Sequence, residues 1–233
     1  MKIQKNKSLL LKDITVIAAL PDMGRVGGLV TQHISKNLPM ELAYKITVMD
    51  KPWINQKDGI ITTPIDEYSI FVNKENSIVV VTGNNQPQEP KTVFELTSNV
   101  ISCIKEMGNI TRIISAGGYL PQNSDEGNNV YGIVTNEELI ATLKKNDIKI
   151  LGSEVNSITW FNGLILGKAK NLGIDGIGLF GEILDANTPQ FQAASNVVKK
   201  IVKITNVEIP TKELEDKIPK EPPKKEPRRP GIG

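Results

Sequence analysis

His33 and Cys103 are the only histidine and the only cysteine of the chain, and they bound the chemistry it can do. A metal centre built on His and Cys needs three or four such ligands, so that class is excluded. His33 falls inside the amphipathic stretch "GRVGGLVTQHISKNL" (24–38), where a histidine packs as a helix residue. Cys103 sits between apolar neighbours in "KTVFELTSNVISCIKEMG" (91–108) and reads as an inert core thiol. No serine lies in a Gly-x-Ser-x-Gly elbow. Glu182, after a glycine at the end of an apolar run, is the best isolated acid, but one acid without a base carries no reaction. No catalytic residue, metal or cofactor is expected.

The stretch "ALPDMGRVGGLVTQHI" (19–34) offers a different chemistry, a glycine-bearing turn that could hold a phosphate at a helix N-terminus. Its order, Gly24-Arg25-Val26-Gly27-Gly28, matches neither Gly-x-Gly-x-x-Gly nor the P-loop, which needs a lysine followed by Ser or Thr. The plainer reading is a tight strand-to-helix corner whose glycines allow close packing, with Arg25 free to meet an anion. Similar corners recur in "TGNNQP" (82–87), "AGGYLP" (116–121) and "GEIL" (181–184). In an open α/β sheet, ligands sit beyond the carboxyl ends of the strands. Met23, Gly24, Arg25, Gln86, Gly118, Tyr119 and Glu182 are therefore candidates to line one crevice.

The elements that must position these residues alternate. Apolar, β-branched runs at 14–20, 43–49, 77–83, 111–118 and 174–182 read as strands. Amphipathic stretches at 24–38, 91–108, 136–146, 158–173 and 189–205 read as helices, the first ended by Pro39 and the third capped by Asn136. The alternation predicts an α/β sheet with helices on both faces, and "IVVVTG", apolar on both sides, suits a central parallel strand. The segment 50–76 interrupts the pattern and is expected to form a hairpin or sheet-edge insertion in a single domain spanning 1–210. Residues 211–233, rich in proline and charge and including "KKEPRR" (224–229), are expected to be a disordered tail, because so few apolar groups cannot offset the entropy of ordering.

Composition excludes several partners. The chain has 233 residues, a net charge of +2 and 5% aromatic residues, which argues against nucleic acid. No apolar run approaches a membrane span, and "LLL" near the start is too short for a signal peptide. A cytoplasmic protein is expected.

Four strand-end stretches in order resemble the proteasome assembly chaperone family in its archaeal form. These are "ALPDMGRVGGLV", "VVVTGNNQP" (79–87), "ISAGGY" (114–119) and "GLILGKAKNLGIDGIGLFGE" (163–182). The resemblance implies a three-layer αβα sandwich with a mostly parallel central sheet, similar to the nucleoside phosphorylase architecture. It implies a non-catalytic chaperone that binds proteasome α-subunits or core-particle intermediates and self-associates. Many assembly factors dock a C-terminal hydrophobic-Tyr-X tail. Here Arg228, Arg229, Ile232 and Gly233 are the candidate tail contacts, and the ending Gly231-Ile232-Gly233 lacks the tyrosine. The competing reading is a small-molecule or nucleotide enzyme using Arg25, Gln86, Tyr119 and Glu182 in the crevice.

Overall fold

A computed structural model describes residues 1–122 and 127–219. In chain order these form β1 (Lys2–Lys5), β2 (Ile14–Ala18), a short turn of helix at Met23–Arg25, α1 (Val26–Asn37), β3 (Glu41–Val48), β4 (Asn55–Lys57), β5 (Ile60–Thr62), β6 (Asp66–Asn73) and β7 (Ile78–Gly83). They continue with α2 (Pro90–Lys105), β8 (Ile110–Tyr119), β9 (Val130–Val134), α3 (Ile140–Lys145), β10 (Lys149–Ile150), α4 (Trp160–Asn171), β11 (Asp175–Glu182), α5 (Phe191–Thr205) and α6 (Lys212–Glu215). The main sheet has nine strands in the order β1-β3-β6-β7-β2-β8-β11-β9-β10. Its centre, β7-β2-β8-β11, is parallel, while β6, β3 and β1 on one flank and β9 on the other pair antiparallel.

The central strands are apolar on both faces because both faces are covered. From β2, Ile14, Val16 and Ala18 enter one core with Leu96 and Val100 of α2 and Phe161 and Ile165 of α4. Ile17 and Ala19 enter the other with Val30 and Ile34 of α1 and Val197 and Ile201 of α5. The result is the expected three-layer αβα sandwich. Asn136 caps as its position suggests, its side-chain oxygen accepting from the Leu139 N–H at 3.2 Å. His33 and Cys103 are both buried. The His33 Nε2 donates to the Pro210 carbonyl at 2.7 Å, since a carbonyl can only accept, and burial pushes the Cys103 thiol up.

The structure corrects four expectations. Residues 66–73 are no edge insertion but a full strand of the main sheet between β3 and β7, with Tyr68, Ile70 and Val72 buried. The β9 segment "VYGIV", whose alternation is broken by Gly132, is a strand that sequence reading passes over. The helix expected at 136–146 is shorter, a turn at Glu137–Leu139 followed by α3. The segment 211–219 is not disordered. α6 lies along α5, and Leu214, the apolar residue that composition alone undervalues, is buried in the second core, a contribution of about 2 kcal/mol. Arg228, Arg229, Ile232 and Gly233 lie outside the described residues. Among the described residues no helix is long and apolar enough to cross a membrane.

Candidate functional site

Because β7, β2, β8 and β11 run parallel, their carboxyl ends share one edge of the sheet, and the loops after them meet there. The corner after β2 is the most tightly determined. Gly24 and Arg25 are both left-handed, with φ of 62° and 56°, so α1 begins at Val26 rather than at Gly24. For Arg25 that conformation costs about 1 kcal/mol. The Arg25 N–H donates to the Asp22 carbonyl at 2.8 Å, and the Gly24 N–H and carbonyl bond to Ala186 and Gln190, both at 2.8 Å.

Asp22 is the residue that sequence reading missed here. One carboxylate oxygen accepts from the Gly27 N–H at 2.8 Å and the other from the Gly118 N–H at 2.6 Å. The first bond occupies an N-terminal donor of α1, so the corner satisfies its helix N-terminus with its own carboxylate, where a phosphate cradle would leave that donor to a ligand. Burial pushes the Asp22 carboxyl up to about 7, outweighing the backbone N–H bonds that favour its charged form. The only sequence signal was an acid just ahead of a helix start.

Glycine is required where the main chains touch. A Cβ at Gly118 would lie 2.4 Å from the Met23 carbonyl oxygen, and one at Gly27 would lie 2.6 Å from that of Leu20. The α4 terminus closes the other side. The buried Asn162 side chain accepts from the Leu20 N–H at 2.8 Å and donates to the Leu20 carbonyl at 3.0 Å, while the Asn162 carbonyl accepts from the Ser115 hydroxyl. This amide was also missed, hidden within a stretch read only as helix.

The remaining candidates divide. Met23, Gly24 and Gly118 come together in the corner, but the two glycines are buried, so only Met23 offers a free side chain, 51% exposed. Arg25 is exposed beside it. Gln86 sits at the α4 side, its oxygen accepting from the Phe161 N–H at 3.4 Å. Tyr119 and Glu182 are register partners on β8 and β11. The Tyr119 hydroxyl donates to Glu154 at 3.0 Å, and burial with that bond holds the phenol above its ordinary value. Glu182 is 4% exposed and turned toward Asn129, accepting from its N–H and its side-chain amide. The strand-end space is thus filled by Asp22, the Met23 main chain and Asn162. At this edge Met23, Arg25 and Trp160 are exposed. Trp160, the first residue of α4, is 45% exposed and left-handed at φ 58°. Among the described residues no group of three or more His, Cys, Asp or Glu could hold a metal ion.

The profile of the PAC2 family matches residues 16–219. An uncharacterized protein of Methanocaldococcus jannaschii, MJ1210, is 30% identical over 211 residues, covering 88% of this chain and 79% of the relative. Two solved structures from Pyrococcus furiosus share the fold. PbaB, described as an archaeal proteasome activator, superposes with a TM-score of 0.78 at 24% identity, covering 92% of this chain and 93% of its own. PbaA, described as an archaeal homolog of proteasome-assembly chaperone, gives 0.74 at 23% identity, covering 92% and 91%. None of these three is described as an enzyme. With a profile spanning most of the sequence and a fold shared along nearly all of it, the chain belongs to the PAC2 family.

Proposed function

We propose that this protein is a non-catalytic chaperone of proteasome assembly, which binds proteasome α-subunits or core-particle intermediates in the cytoplasm and works as a homo-oligomer. The observation that carries this reading is the family match over residues 16–219. The likeness to PbaA and PbaB along 92% of the chain supports it. The strand-end edge fits a protein-binding role. Its interior is closed by its own hydrogen bonds, and it exposes Met23, Arg25 and Trp160, residue types enriched at protein interfaces. Arg25 and Trp160 both hold left-handed backbone conformations that side-chain-bearing residues seldom adopt. The 220–233 segment, with Arg228, Arg229, Ile232 and Gly233, adds a second contact whose effect is to raise effective concentration. The small-molecule reading draws no support from the corner, where Asp22 takes the N–H donor that an anion would use.

Co-expression with α- and β-type proteasome subunits, followed by affinity capture, tests the proposal. The expected result is recovery of α-subunits, weakened at least tenfold by the pair Arg25→Ala and Trp160→Ala, since central interface residues each cost more than about 1 kcal/mol when truncated. Capture of no proteasome subunit at micromolar protein overturns it.

A further inference from the structure

Residues 49–65 leave the main sheet as an arm. β4 and β5 pair with each other, Asn55 with Thr62 and Lys57 with Ile60, around the loop Asp58-Gly59. Both loop residues are left-handed, as a two-residue hairpin turn requires. Met49, Trp53, Ile54, Ile60, Ile61 and Ile65 are between 46% and 70% exposed, and none enters either core. A two-stranded hairpin alone is marginal in water, so what fixes the arm lies at its root. There the Lys51 ammonium lies 2.8 Å from Asp66 Oδ2 and 3.9 Å from Asp50 Oδ1, and the three side chains are 7%, 3% and 9% exposed. The Asn85 side-chain amide donates to Asp66 Oδ1 at 2.9 Å.

This root holds more polar atoms than an ion pair needs. One lysine faces two carboxylates. Both Asp50 oxygens, Asp66 Oδ2 and the Tyr68 hydroxyl are buried without a hydrogen-bond partner. Asp66 Oδ2 is among them although the ammonium stands 2.8 Å away, so the nitrogen touches that carboxyl off the direction of a hydrogen bond. Tyr68 is fully buried, and burial, then Asp66 and Asp50, hold its phenol well above its ordinary value. Burying a carboxylate with no partner is costly, and nothing in the fold requires Asp50 to be there. Amide formation between a lysine and an aspartate does require such a group. That reaction needs an amine in contact with a carboxyl and a donor on the other carboxyl oxygen. It also needs a second carboxylate within reach of the nitrogen, and little access for water. Lys51, Asn85, Asp50 and the burial of the root supply these in turn.

We propose that Lys51 and Asp66 condense into an amide bond across the root of the arm, with Asp50 moving the proton. One proton first passes from the ammonium to Asp66 Oδ2, leaving an amine and a carboxylic acid. The Lys51 nitrogen then attacks Asp66 Cγ, and a C–N bond forms. The Asn85 amide, already on Oδ1, stabilises the negative charge that gathers on that oxygen. Asp50 takes a proton from the nitrogen and hands it to Oδ2. The Cγ–Oδ2 bond breaks and water leaves. The ion pair becomes an amide and one water, Asp50 ends as it began, and no oxidant or further reactant is consumed. Contact within the fold supplies what two free groups lack, an effective concentration that reaches roughly 10⁵–10⁸ M in well-oriented intramolecular reactions. The bond closes residues 51–66 into a loop, which holds the root covalently and restricts the unfolded chain. Neither proteasome binding nor oligomeric state enters this chemistry.

Mass spectrometry of the purified full-length chain under denaturing conditions tests this. The expected wild-type mass is one water below that of the sequence. Trypsin locates the loss, because cleavage after Lys57 separates Lys51 from Asp66. The expected digest contains peptides 46–57 and 58–74 joined through Lys51 and Asp66. Lys51→Arg keeps the cation but not the amine, and should have its full mass with the two peptides separate. Asp50→Asn should lower the joined fraction by about tenfold or more, the least that a positioned proton carrier contributes. A wild type at full sequence mass overturns the amide. So does a lost water confined to peptide 58–74, where Asp58-Gly59 can close to a succinimide. Joining that is unchanged in Asp50→Asn overturns the role of Asp50 alone. The wild-type result stands whether or not either variant folds.

Discussion

At the strand-end corner a carboxylate, Asp22, is drawn inward and satisfied by two main-chain N–H groups, while on the 49–65 arm six large apolar side chains are left outside. The corner is determined by close approach of main chains, and glycine is needed because a Cβ would strike backbone. The arm is determined at its root alone, by a buried lysine between two aspartates, and its far end packs on neither core. The difference separates two uses of the same sheet edge. One region spends its polar groups on fixing the fold and leaves Met23, Arg25 and Trp160 exposed. The other spends little on its own stability and keeps apolar surface for something else.

The largest effect is expected at the root of the arm. Lys51→Ala leaves Asp66 buried with only the Asn85 amide, and should lower stability by about 3 kcal/mol, read by chemical denaturation. A change below 0.5 kcal/mol would mean the root is not the fixed pivot described. Gly118→Ala comes next. The added methyl meets the Met23 carbonyl at 2.4 Å, and the corner must shift, at a cost of about 2 kcal/mol by the same measurement. A neutral outcome would show that the corner yields easily.

A third difference is in pH dependence and concerns Asp22. Its carboxyl is raised from 3.8 to about 7 in the fold, so between those values the native state holds a proton that the unfolded chain has lost. Stability from this group therefore falls as pH rises from about 4 to about 7 and is level above. In paired thermal melts, the wild-type advantage over Asp22→Asn should shrink across that window. An advantage that is constant across it would place the carboxyl near its ordinary value. The exposed acids, whose values are lowered by lysine partners or local hydrogen bonds, such as Glu41 and Asp185, are common to both proteins and cancel.

Much of this architecture is legible in the sequence, for a physical reason. β2, β7, β8 and β11 are buried on both faces over most of their length, so each is written as a mostly apolar run, and α1, α2 and α5 each bury one stripe. β6 was misplaced because alternating polar residues also suit an edge, and only the pairing with β3 and β7 decides. α6 was lost because one apolar residue, Leu214, sits among charges, and composition averages it away. The site was less legible than the fold. Glycines at strand ends pointed to the corner, but they mark close approach whether or not a ligand enters. Asp22 and Asn162 act on main-chain groups of residues far off in sequence, so no local pattern reveals them. Trp160 is indistinguishable, by spacing, from any first-turn helix residue.

The proposed function has proteasome α-subunits bound through the exposed Met23, Arg25 and Trp160 side chains. Native mass spectrometry of the complexes recovered after co-expression measures this most directly. The expected result is complexes containing this chain and α-subunits, lost with Arg25→Ala and Trp160→Ala while the variant chain remains folded. Recovery of this chain with β-subunits alone, or free of any proteasome subunit, would contradict it.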